Sequence, residues 1–171
     1  MTNTLEACIE GTEMTPLTQA HNPLQQVHQC LTGTLRPKVA LLTQLDLGPQ
    51  ARERVQAALA QFCDGPLRDY LDTCDQRLYV SAAGEPETRL LILALRTSAA
   101  VLRRHLDALP NADEAPIVTS LAESIDALLA AHLAIERTVL LPALPAHAAT
   151  EVLALVTELE ARLGCQVTSP A

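Results

Sequence analysis

The stretch HLAIERTVLLPAL, residues 132–144, decides how the chain is read. It is apolar at helical spacing, yet it sets a histidine, His132, four residues before a glutamate, Glu136. Side chains at i and i+4 project from one face of a helix about one turn apart. The pair is therefore either half of a metal site or a histidine and a carboxylate that share a helix. Upstream, Ile117, Leu121, Ile125 and Leu128 recur every three or four residues, so the spacing predicts one helix that takes these residues, His132 and Val139 inward and stops near Pro142 or Pro145.

The same period runs through the rest of the chain. Leu24, His28, Leu31, Leu35, Val39 and Leu42 form one stripe, with Asn22 as N-cap, Pro23 at the first helical position and a kink expected at Pro37. That helix is expected to end near Gly48 and Pro49, where a second begins. The second carries Val55, Leu59 and Phe62 inward, breaks or kinks at residues 64–66, and resumes with Leu67, Tyr70, Cys74 and Leu78. A third helix is expected over 86–109 with Leu91, Leu95, Ser98, Leu102 and His105 on one face. A short fifth is expected over 147–163, ending at Gly164. No strand-period segment competes. The expected fold is all-α, an up-down-up-down four-helix bundle over residues 23–163 with the fifth helix outside it, between a loose tail at 1–22 and a second tail at 164–171.

Composition narrows the function. A net charge of −8 argues against a nucleic-acid backbone or an anionic membrane as partner. One Phe, two Tyr and no Trp leave no stacking platform for bases. No apolar run approaches a membrane span, and the acidic N-terminus lacks a basic signal region. The five cysteines, Cys8, Cys30, Cys63, Cys74 and Cys165, are scattered and form no CxxC; reduced thiols in a cytoplasm are the simplest reading. No phosphate-binding glycine loop and no Ser-His-Asp arrangement is present, and nothing supplies an oxyanion hole for Cys74. His21 and His147 read as lying outside any site, and the basic run near His105 as a solvated helix end.

HLAIERTVLLPAL resembles the hemerythrin-like (HHE) family, whose helices carry HxxxE followed by Leu-Leu-Pro or Leu-Phe-Pro. In layout the resemblance covers most of residues 23–163. It implies a four-helix bundle holding two irons, with roles in oxygen binding, iron sensing or nitric-oxide-related stress. The stretch QFCDGPLRDYLDTCDQRLYV, residues 61–80, looks like the family's second helix. Setting its last three residues, LYV, on Leu-Phe-Pro puts Tyr70 at a histidine ligand, Cys74 at the bridging glutamate and Asp75 at the second glutamate. The third helix offers no histidine at that level.

Counting residues from the turns at 1.5 Å per residue puts His28, Tyr70, Cys74, Ser98, His132 and Glu136 at one level, with His105 roughly 10 Å away along the axis. Two histidines and one glutamate are too few for two metal ions. They suffice for one, with Tyr70 or Cys74 completing the set. Two expectations follow. One is a metal-free, non-enzymatic interaction or scaffold module that binds a protein partner or itself. The other is a single iron held by His28, His132 and Glu136 in an oxygen or redox response. In the first, the Tyr70 hydroxyl is expected to find His132 or Glu136.

Overall fold

A computed structural model describes residues 16–44, 47–144 and 148–163, with side chains from Pro23 onward and excluding Ala149. These residues form five helices and, among the described residues, no strand. Helix α1 is Pro16–Leu42. Helix α2 spans 49–83 and is built of α segments Pro49–Phe62, Arg68–Thr73 and Tyr79–Ala83 joined by π turns Cys63–Leu67 and Cys74–Leu78. Helix α3 is Arg89–Ala108, tightening into a 3-10 turn at Leu109–Asn111. Helix α4 is Ala115–Ala143, with a π turn at Glu136–Leu140, and α5 is Ala149–Leu163.

Three pairs of helices, α1–α2, α1–α4 and α2–α3, meet through side chains in reversed order. His28, Lys38 and Leu42 of α1 meet Tyr70, Phe62 and Arg52 of α2. They also stand beside Glu136, Asp126 and Thr119 of α4, the second of these through Arg36. Asp72, Asp75 and Arg68 of α2 pair with Arg103, Arg96 and Asp107 of α3. In each case one number rises as the other falls. Helix α5 lies against α1 and the second half of α2.

A single apolar core results, filled by Leu24, Leu31 and Leu35 of α1, Leu59 and Leu67 of α2, Leu95 and Leu102 of α3, Ile125 and Leu129 of α4, and Val152 and Leu159 of α5. At roughly 1.5–3 kcal/mol for each fully buried Leu, Ile or Val, this core is the main favourable term.

Several expectations are corrected. Helix α1 starts seven residues earlier than expected, and Pro23 lies inside it; the N-terminal proline preference is met by Pro16 instead. Pro37 is also inside α1. Having no N–H, it leaves one carbonyl of the preceding turn unpaired, while the neighbouring Thr34 carbonyl takes an added bond from Lys38 Nζ at 2.8 Å. Helix α1 stops at Leu42, short of Gly48. Residues 64–66 do not break α2 but form its first π turn. Helix α3 begins at Arg89 rather than at Pro86.

Ile117 and Val139, expected inside, are 47% and 48% exposed; Val118 and Leu140 take their places. The π turn at Glu136–Leu140 adds one residue to a turn, which moves the buried position from 139 to 140. Leu91, Leu121 and Leu128 are half-buried at the core's margin.

Helix α4 is long and apolar enough, by length and composition, to cross a membrane, which corrects the expectation that no such segment exists. It nevertheless carries Glu123 and Asp126, and its burial repeats every three or four residues from Val118 to Leu140, as in a helix packed against neighbours. Cys30 is disulfide-bonded, which corrects the all-reduced reading, while Cys63 and Cys74 are free buried thiols. Asn22 lies inside α1 and is not its N-cap. The tails at 1–15 and 164–171, Cys8, Cys165, the Gly164 helix end, His147 and the His21 side chain lie outside the described residues.

Candidate functional site: a carboxylate between two tyrosines and two histidines

Five polar side chains meet in the core around Glu136. The Tyr70 hydroxyl donates to Glu136 Oε2 and the Tyr79 hydroxyl donates to Glu136 Oε1. His28 Nε2 is 2.9 Å from the Tyr70 oxygen, and His132 Nε2 is 2.9 Å from the Tyr79 oxygen. Each imidazole nitrogen also stands close to the carboxylate itself, at 3.4 Å for His28 and 3.5 Å for His132. Helix α1 supplies one histidine, α2 both tyrosines, and α4 the other histidine and the glutamate. Tyr70, Tyr79, His132 and Glu136 have at most 1% of their surface exposed, and His28 has 6%.

The proton directions follow from the inventory of donors. A phenol has one O–H, and each tyrosine spends it on Glu136, so each phenol oxygen accepts from its histidine. Both Nε2 atoms therefore carry hydrogen. In a neutral imidazole this leaves Nδ1 as an acceptor. For His132 the partner is the Ser98 hydroxyl of α3, 3.3 Å away. For His28 no partner exists among the described residues: Nδ1 is buried and unsatisfied.

Burial alone would raise the Glu136 carboxyl, but hydrogen bonds and charge from His132 and His28 outweigh it and hold the group well below its ordinary range. Burial pushes both phenols upward, and the neighbouring Glu136 adds to this. The arrangement is thus an ionised carboxylate gripped by two phenols that keep their protons. Cys74 lies one turn beyond Tyr70, fully buried; its thiol interacts with the Tyr70 hydroxyl and is pushed up by burial and by Glu136.

The structure thus brings together His28, Tyr70, Cys74, Ser98, His132 and Glu136, the level reached by counting residues. It adds Tyr79, which the motif alignment had assigned to the Leu-Phe-Pro ending. Nine residues separate the two tyrosines, which on an ideal helix sets them about 180° apart. The π turn at Cys74–Leu78 inserts one residue between them, so the effective separation is eight and the angle falls to about 80°. The only usable signal in the sequence is that these are the chain's two tyrosines. Two of the three π turns touch the cluster, one between the tyrosines and one beginning at Glu136. His105 stays apart, its Nδ1 2.9 Å from the Val101 carbonyl.

Among the described residues, no group of three or more His, Cys, Asp and Glu side chains converges closely enough to hold a metal ion. The donors that would complete such a set are phenols whose protons are already shared with Glu136. The two-iron site that the hemerythrin resemblance implies does not fit these residues. No protein-family model matches the chain, and neither a curated protein nor a solved structure matches it.

Proposed function

We propose that the chain is a hemerythrin-like, up-down-up-down four-helix bundle with α5 as an outer fifth helix, in which shared protons have replaced metal ions, and that it acts as a non-enzymatic interaction or scaffold module. One observation carries the reading. Each tyrosine hydroxyl lies between a histidine Nε2 and one Glu136 oxygen.

Two further features support it. Glu136, His132 and both phenols are closed to solvent, so no substrate reaches the carboxylate, and only the outer edge of His28 borders a groove. Among large apolar residues, Val80, Leu90 and Leu93 are 59% to 79% exposed near the α2–α3 turn, the kind of surface that a protein partner or a second copy would cover.

A second reading, one iron held by His28, His132 and Glu136, is favoured by a different observation: both Nε2 atoms face one carboxylate. Thermal unfolding of the untagged chain with a chelator, with ferrous iron and with zinc separates the two. A proton-bridged core keeps its midpoint within about 1 °C throughout, whereas a resident metal raises it by several degrees on loading.

A further inference from the structure

A groove of about 290 Å³ runs between α1 and α4, directly outside His28. From α1 it takes Gln25, His28, Gln29 and Arg36; from α4 it takes Ala134 and Arg137, among others. On α1 these residues recur at spacings that keep them on one face, and small alanines on α4 leave the space between the helices open. The groove's charge is opposite to that of the whole chain. The chain carries −8, but no acidic residue lines the groove, and two guanidiniums do. Arg36 pairs at 3.5 Å with Asp126, outside the lining. The Arg137 side chain has no partner among the described residues. Two arginines at a concave polar site suit bidentate recognition of carboxylates.

The second observation lies in the floor. His28 Nε2 is committed inward to Tyr70, and its Nδ1, an acceptor, has no partner. A buried acceptor left unpaired costs about 1–3 kcal/mol, so a ligand that brings a donor gains from meeting it. Nδ1 is shielded from bulk water, and His28 lines the groove between Gln25 and Gln29 on the same helix face. Arg137 follows Glu136 and so stands at the level of His28, while Arg36 is eight residues along α1, about 12 Å. The site therefore offers a cation at each end and a bare acceptor near one of them. Its volume is at the low end for small-molecule pockets.

We propose that this groove binds a small hydroxy-dicarboxylate, its carboxylates held by Arg137 and Arg36 and its hydroxyl donated to His28 Nδ1. The hydroxyl contact rests on the proton-bridged core reading, which makes His28 Nδ1 the acceptor, whereas the two arginine contacts do not, because the arginines take no part in the cluster.

The test is isothermal titration of the full chain, at fixed ionic strength, with malate, succinate and inorganic phosphate. Malate and succinate carry the same charge and differ in the hydroxyl alone. Malate is expected to bind about tenfold tighter than succinate, and phosphate more weakly than malate. Arg137→Gln and Arg36→Gln, both on the surface, are each expected to weaken malate about tenfold while leaving the melting midpoint in place. Absence of malate binding up to about 10 mM overturns the proposal. So does equal binding of malate and succinate, phosphate binding as tight as malate, or affinity untouched by both arginine variants.

Discussion

Replacing Tyr79 by Phe removes one oxygen and keeps the ring, so it isolates the hydroxyl's contribution to the core. That hydroxyl does two things: it donates to Glu136 Oε1 and accepts from His132 Nε2 at 2.9 Å. A hydrogen bond to a charged group contributes about 1.5–3 kcal/mol net, and an orphaned buried N–H would add about 1–3 kcal/mol. The second penalty is largely recoverable, since His132 Nε2 already stands 3.5 Å from Oε1, one turn along the same helix, and a shift of under about 1 Å closes that gap. The expected loss is therefore about 2 kcal/mol, or roughly 4–8 °C in melting midpoint for a chain of this size.

The Tyr70→Phe variant has the same logic at Oε2 and the same expected size. The double variant is expected to exceed the sum of the two by about 1 kcal/mol, because both hydroxyls serve one carboxylate. Urea unfolding followed by far-ultraviolet circular dichroism gives these values, with an unchanged slope as the control for comparable unfolding. A change below about 0.5 kcal/mol in either single variant, the range of ordinary surface substitutions, refutes the reasoning.

Four other outcomes follow from the structure. In a spectrophotometric alkaline titration of native protein, neither tyrosine is expected to ionise near pH 10; since the chain's two tyrosines are both in the cluster, a phenolate signal before unfolding contradicts the site. Alkaline stability has a second contributor. The Cys63 thiol is raised from 9.0 to about 12 by burial, so its contribution is complete below pH 9 and declines as the pH rises toward 12, by up to about 4 kcal/mol; Cys63→Ala should flatten that limb.

On the acid side the sign reverses. The folded Glu136 carboxyl is depressed, so its contribution is present above the ordinary value of 4.5 and is lost as the pH falls below it. Glu136→Gln is expected to be less stable at pH 7 by about 1–3 kcal/mol and to show a shallower acid limb, and an unchanged limb counts against the depressed carboxyl. Deleting exposed Gln76 removes the inserted residue of the π turn at Cys74–Leu78 and should rotate Tyr79 away, so that one phenol titrates near 10; continued protection of both contradicts the register argument.

The helices were legible because their stripes are regular where the backbone is regular. In α1, Leu24 through Leu42 fall inside as their spacing predicts, and His28 falls with them. His132 and Glu136 share a face simply by being four apart. One error lies where the backbone leaves the ideal period: Val139 follows the start of a π turn, and a period of 3.6 carried through the added residue sends it to the wrong side. Ile117 is out by one residue within a regular stretch of α4. The start of α1 was misplaced for another reason: proline is favoured at a first helical position, and the segment offers both Pro16 and Pro23. The cluster's chemistry was less legible than its members. Spacing brings a histidine to a carboxylate, but it does not reveal that a phenol oxygen stands between them.

The central claim is that two phenolic protons have taken the places of cations. The most direct test is metal content by plasma mass spectrometry, with an ultraviolet–visible spectrum, on untagged protein exposed to ferrous iron in air and then desalted. Because Tyr70 and Tyr79 are the only tyrosines and there is no tryptophan, the near-ultraviolet spectrum reports this cluster almost alone. The expected result is a colourless, folded protein with metal far below one per chain and an unaltered phenol band. Stoichiometric iron with a visible phenolate-to-iron charge-transfer band, abolished by Tyr79→Phe, would contradict it and make the cluster a metal site.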